Sequence, residues 1–145
     1  MIYLPTLEES VPTYEELERE YGNDTERLCN EHERLIDQIL EEEEELINGH
    51  RRHIDDVVDL VKQEMVLLNE VDKPGSDVEE YVNNLDQMLL KKMGMIQEIR
   101  DQLVTFHKHL KTEESLSKLY QQQQILNGAY MPGGDDDEEM LYNND

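Results

Sequence analysis

The chain reads as an all-α protein: a long antiparallel αα-hairpin of coiled-coil character. A short N-terminal helix as third element, or a second chain, completes a bundle. Three observations predict this. Apolar residues recur every seven positions along two stretches, the period of helices packed along a common seam. Asp72-Lys73-Pro74-Gly75-Ser76 punctuates the sequence between them. The composition is too charged for a thick round core. It is 37% apolar and 34% charged, against roughly 45–50% and 25% in an average globular domain. Trp is absent and Phe106 is the one Phe, so the interior is aliphatic.

Residues 1–23 read as an irregular lead-in with a short helix. Two prolines lie in the first twelve residues without any period, and Thr13-Tyr14-Glu15-Glu16 then has the form of a capping box. In that motif a hydroxyl and a carboxylate each satisfy an orphan backbone donor. The helix is expected to end near Gly22. Asn23, with Glu26 three residues on, offers the N-cap of the next helix.

Residues 24–126 read as the hairpin. The first long helix is predicted over about 24–71. Leu40, Ile47, Ile54, Val61 and Leu68 form its seven-residue stripe, which Glu43, His50 and Glu64 interrupt. Gly49, inside the helix, costs about 1 kcal/mol relative to Ala and marks a bend or a close contact. The turn spans 72–76. Pro74 pushes Lys73 out of helical geometry, and Gly75 can take the positive φ of a reversal. Ser76 and Glu79 read as a second capping box opening a helix over about 77–124.

The second helix carries the more regular heptad: Val78, Val82, Leu85, Leu89, Ile96, Ile99, Leu103, Phe106 and Leu110, with Lys92 as its one polar member. Beyond Lys111 the pattern weakens through Leu116 and Leu119 into Gln121–Gln124. Residues 127–145, with Pro132-Gly133-Gly134 and the acidic run from Asp135 to Glu139, read as a disordered acidic tail. Val58, Met65, Met88, Met93 and Met95 lie beside the stripes and suggest a second contact face.

Charge narrows the classes of partner. The net charge is −23, which repels nucleic-acid phosphates and anionic membrane surfaces. Residues 25–72 hold fifteen acidic and five basic side chains, whereas 73–118 hold eight and seven. An acidic partner is therefore expected to meet the second helix alone. Met1-Ile2-Tyr3-Leu4-Pro5 lacks the basic region and apolar run of a signal peptide. One cysteine, Cys29, makes no internal disulfide. A cytoplasmic protein is the expectation.

No catalytic, cofactor-binding or metal-ligating residue emerges. None of the seven glycines falls in a phosphate-binding pattern, and no serine lies in a nucleophile elbow. A Glu-x-x-His di-iron signature is missing. The pairs Cys29/His32 and His50/His53 share helix faces but lack two further ligands at useful spacing. Consecutive glutamates from Glu41 to Glu45 point in different directions on a helix, so they form a solvated face rather than an ion site.

The stretch from Glu42 to Leu110 resembles the C-terminal tail region of kinesin-13 proteins, the internal-motor kinesins that depolymerise microtubule ends. The matching features begin with the acidic run before Leu46-Ile47, Gly49-His50-Arg51, and Glu64-Met65 followed by Leu67-Leu68. They continue with Asp72 to Gly75, Tyr81-Val82, and Leu103-x-x-Phe106-x-x-x-Leu110. The resemblance implies dimerisation, motor regulation and partner binding. It carries over no catalytic residue, because the family's ATPase motor has no counterpart here.

The expectation is therefore a non-catalytic protein-interaction module of the cytoplasm and cytoskeleton. Its partners would be a second copy or a kinesin motor, with indirect microtubule association and no nucleic acid or membrane. A coiled-coil adaptor unrelated to motors is the alternative. The candidate interaction seam is Leu40, Ile47, Ile54, Val61, Leu68, Val82, Leu85, Leu89, Ile96, Ile99, Leu103, Phe106 and Leu110. Asp72, Pro74, Gly75 and Ser76 make its turn.

Overall fold

The computed structural model describes residues 4–126 and 128. The predicted acidic tail thus lies, apart from Gly128, outside the described residues. Three helices follow one another: α1 (Tyr14–Tyr21), α2 (Thr25–Val71) and α3 (Val78–Leu126), with no strand among the described residues. The protein is all-α, and its two long helices form the expected antiparallel hairpin. The described residues fall into two compact units. The first holds residues 4–7 and Leu40–His107, and the second holds 8–39, 108–126 and 128.

The second unit is a three-helix packing. The capping box at its start is complete: Glu16 N donates to Thr13 Oγ1 at 3.1 Å, and Thr13 N donates to Glu16 Oε1 at 2.8 Å. α2 is capped by Asp24 rather than by Asn23, with Arg27 N donating to Asp24 Oδ1 at 3.1 Å. Asp is as good a cap as Asn, and here it stands where its oxygen reaches the third helical amide.

Leu17 of α1, Leu28 and Leu35 of α2, and Leu116 and Leu119 of α3 form the buried core. Leu28 and Leu116 are fully buried. Tyr14, Tyr21 and Ile39 pack against this cluster. The tightest packing therefore lies where the α3 heptad weakens.

Gln123 is buried in the same unit and fully occupied. Its Nε2 donates to the carbonyls of Tyr21 and Gly22 at 2.9 and 2.7 Å, and Thr25 Oγ1 donates to its Oε1 at 2.7 Å. One side chain thereby satisfies the carbonyls that the end of α1 leaves without helical partners. It ties the α1–α2 corner to α3.

The first unit contains the turn and the closure of the hairpin. Gly75 takes φ +79°, a conformation costly to any side chain with a Cβ. The expected Ser76 capping box does not form. Instead Asp77 caps α3, its Oδ1 accepting from Glu79 N and Glu80 N at 3.0 and 3.3 Å. Ser76 is drawn away by the turn: its hydroxyl donates to the Val71 carbonyl at 2.8 Å and closes the end of α2.

Within this unit the inward positions of α2 are Leu46, Gly49, His53, Val57, Leu60, Glu64, Leu67 and Val71, each at least partly buried. They follow one another in steps of three or four residues, the spacing that keeps one line of a helix against a neighbour. Leu60, at 2% exposure, is the centre of that line. α3 answers with Tyr81, Leu85, Met88, Lys92, Met95, Ile99 and Phe106, all partly buried. The close contact expected at Gly49 is present: a Cβ there would lie 2.7 Å from Gln102 Oε1.

Candidate interaction surface

The stripe read from sequence as the closing line of α2 faces outward. Leu40, Ile47, Ile54, Val61 and Leu68 are all exposed, Ile54 at 50% and Leu68 at 51%. In the heptad that puts Leu46, His53, Leu60 and Leu67 at the centre, each stripe residue follows a seam residue by one position. One position is about 100° around the helix. As the line that closes the hairpin, the α2 stripe is corrected to the seam described above.

The α3 stripe divides. Leu85, Ile99 and Phe106 are partly buried and belong to the hairpin's own seam. Val82, Leu89, Ile96 and Leu103 are exposed, and so is Leu110 in the second unit. Of the candidate turn residues, Asp72, Pro74 and Gly75 are exposed and Ser76 is half-buried.

The two outward stripes of the first unit share one face. A cleft lined by Gly49, Arg52 and Asp56 of α2 and by Met95, Glu98 and Gln102 of α3 shows which sides of the helices meet on one flank. A second cleft, between Glu42 and Glu45 of α2 and Asp101 and Thr105 of α3, lies on that same flank. The apolar stripes occupy the other sides of both helices. Two right-handed helices running antiparallel turn their stripes to the same flank. The cleft flank thus carries Glu42, Glu45, Asp56, Glu98 and Asp101 together with Arg52, and the stripes give the opposite flank its apolar character.

Val58 and Met65 widen the apolar flank on α2, and Met93 does so on α3; all three are exposed. Arg100, seven residues beyond Met93 and hence above it on α3, donates through its guanidinium to the Pro5 carbonyl. Residues 4–7 belong to this unit and so lie at one end of the flank. Leu103, near that end, is 38% exposed, the least of the unit's outward stripe residues.

Two charges interrupt the inward seams, and they answer each other. Lys92 Nζ lies 2.8 Å from Glu64 Oε1, with the lysine side chain 31% and the carboxylate 17% exposed. His53 lines the first cleft and His50 is exposed, so the pair that shares a face in sequence takes different environments. His32 Nε2 lies 2.9 Å from Glu113 Oε2, and Cys29 is a free, partly buried thiol. Among the described residues no group of three or more His, Cys, Asp or Glu converges on a common point. Nor is any helix among them long and apolar enough to cross a membrane.

Electrostatics shift Tyr14, Tyr21 and Glu31, which lie in the second unit. Burial first, then the carboxylates of Glu18 and Glu15, raise Tyr14 above the ordinary phenol range. Burial likewise raises Tyr21, with Glu31 and Glu20 adding to it and Arg27 and Arg34 opposing. The Arg27 guanidinium lies 4.6 Å over the Tyr21 ring and pairs with Glu20 at 2.9 Å. Glu31 is held below the usual carboxylate range, chiefly by two hydrogen bonds from Arg34 at 3.0 and 2.6 Å.

Comparison with known proteins points in one direction. The chain is 41% identical over 96 residues to kinesin-like protein KIN-13A of Oryza sativa subsp. japonica, a match covering 66% of the chain and 12% of that protein. It is 32% identical over 81 residues to kinesin-like protein KIN-13B of Arabidopsis thaliana, covering 56% of the chain and again 12% of the relative. The chain is related in sequence to kinesin-13 proteins. Each match spans about an eighth of the relative's length. No family model matches the chain, and no solved structure does.

The sequence reading missed the second unit's core. Leu28 and Leu35 are seven residues apart and were a legible signal, as was the single Leu17 of amphipathic α1. The role of Gln123 had no such signal: nothing distinguishes it from Gln121, Gln122 and Gln124 except the carbonyls that await it in space.

Proposed function

We propose that this chain is a non-catalytic protein-interaction module of a kinesin-13 system. It serves self-association, regulation of a microtubule-depolymerising motor, or both, and works at the cytoskeleton. Its partners are proteins rather than nucleic acid or membrane, and ATP hydrolysis would belong to a motor domain outside this chain. The observation that carries the reading is the apolar flank of the first unit, set on a chain related to KIN-13A and KIN-13B. A solvated hairpin needs no such flank. Contiguous apolar surface on a soluble protein marks an interaction site.

The test is binding in trans. Purified rice KIN-13A is titrated with this chain, and both association and microtubule-stimulated ATPase are followed. The module reading expects saturable binding or a changed ATPase rate, with no ATPase from the chain alone. Absence of binding together with an unchanged rate would leave the adaptor unrelated to motors as the better reading.

A further inference from the structure

We infer that residues 4–7 are an internal ligand of the apolar flank. This extended Leu-Pro-Thr-Leu segment docks on α3 at Arg100, and a partner must displace it to use that end of the flank. The inference rests on the interaction reading above and adds to it a competitor carried by the chain itself.

Burial along the segment is the first reason. Residues 4–6 lie in no helix or turn, and exposure alternates: Leu4 and Thr6 are exposed, whereas Pro5 and Leu7 are half-buried. A period of two is that of an extended peptide laid with one side on a surface. A solvated lead-in would leave all four exposed alike. The ring of Pro5 fixes its φ and favours the extended form. Its carbonyl accepts a partly buried hydrogen bond from the Arg100 guanidinium, and a charged donor makes this bond one of the stronger class.

The place of Arg100 is the second. Ile96 and Leu103, four residues before it and three after, are its neighbours on the surface of α3. Both belong to the outward stripe and both are exposed. The guanidinium that holds Pro5 thus stands between two of the apolar side chains offered to a partner.

The shallowness of the dock is the third. Two half-buried side chains and one hydrogen bond put the segment at the low end of local stability, where opening is frequent. A tether offsets this weakness: residues 8–13 join the segment to α1. Docking is therefore intramolecular, with an effective concentration on the order of millimolar. A docked form populated about ten times more than the open one weakens a competing partner about tenfold, because only the open fraction is competent.

The test uses the full chain in a Cys29→Ser background, with a nitroxide attached through Thr6→Cys. Nuclear magnetic resonance should show the amide signals of Ile96, Arg100 and Leu103 broadened relative to the reduced label. Leu7→Ser removes the burial of about half a leucine, roughly tenfold in the docking equilibrium, and should cut the broadening by about half. Leu4→Ser should leave it unchanged. Unlabelled chains are then titrated with KIN-13A. Leu7→Ser should bind about fivefold tighter than the parent, and Leu4→Ser as the parent does.

Unbroadened signals at these three residues overturn the inference, as does equal broadening in the two serine variants. If KIN-13A binds the parent and Leu7→Ser equally, the segment is no competitor and the inference falls, while the interaction reading stands. If KIN-13A binds none of the chains, the motor reading falls, and the broadening still decides the docking.

Discussion

Lys92 and Glu64 are the two charges that break the inward seams of α3 and α2, and they meet at 2.8 Å across the hairpin. A charge at a seam position is tolerable when its opposite stands level with it. Elsewhere along the seams a slip of one helix past the other would strand both groups. The pair therefore sets the register of the first unit more than it stabilises it.

Removing one partner should cost more than removing both. Glu64→Leu or Lys92→Leu alone is expected to destabilise by about 1–2 kcal/mol, and the double replacement to be near neutral. Urea unfolding of the four proteins, compared as a double-mutant cycle, measures the coupling. A coupling indistinguishable from zero would mean that the two groups merely lie near each other.

Gln123→Leu should destabilise by about 1–3 kcal/mol, because it removes the Nε2 donor from the half-buried Gly22 carbonyl, one of two donors from the Tyr21 carbonyl, and the acceptor of the Thr25 hydroxyl. Gln121→Leu, at an exposed site, should stay within about 0.5 kcal/mol. Equal effects in urea unfolding would contradict the role of Gln123 as the tie between α3 and the α1–α2 corner.

Leu28→Ala and Leu116→Ala empty fully buried sites and are each expected to cost about 2–5 kcal/mol. These side chains share one cluster, so the double variant should depart from additivity. Thermal melts followed by circular dichroism provide the check.

Alkaline pH should loosen the second unit. Burial, as the first cause, raises both Tyr14 and Tyr21 above the ordinary phenol range. A phenol whose folded pKa exceeds its unfolded value contributes stability that is complete below the unfolded pKa. That stability is lost as pH rises through the folded one. Unfolding midpoints should therefore fall from about pH 10 upward, and a Tyr14→Phe, Tyr21→Phe chain should show a flatter profile. Glu31 works in the opposite direction. Its lowered pKa gives a contribution present above the unfolded carboxylate value and lost as pH falls through the folded one.

Gly49→Ala should be neutral to stabilising by up to about 1 kcal/mol, the helix-propensity gain. The three atoms nearest the new methyl all belong to the end of the Gln102 side chain, which can swing away. A loss of several kcal/mol would show that the helices depend on close approach at this point.

The fold class was legible because a helical period, a Pro-Gly break and capping residues all agree. The N-caps of α2 and α3 were misread by one residue, since Asn23-Asp24 and Ser76-Asp77 each offer two competent side chains in a row. Which stripe closes the hairpin was not legible, and the reason is physical. A seven-residue period reports that a face is apolar, not which partner covers it.

In α2 the outward line Leu40, Ile47, Ile54, Val61, Leu68 is wholly apolar. The inward line includes Gly49, His53 and Glu64. The better-looking stripe is therefore the one the hairpin leaves exposed. Gly49 and Glu64 make sense only once Gln102 and Lys92 stand opposite them.

The most direct measurement compares two variants by far-ultraviolet circular dichroism and urea unfolding at submicromolar concentration, where association between chains is minimal. One is Ile54→Ser, Leu89→Ser, Ile96→Ser on the outward flank; the other is Leu60→Ser at the inward seam. The outward triple is expected to keep its helicity and lie within about 1 kcal/mol of the parent, while Leu60→Ser loses about 3 kcal/mol or more. A collapsed triple beside an unaffected Leu60→Ser would show that the outward stripe closes the hairpin, and the interaction surface would be gone.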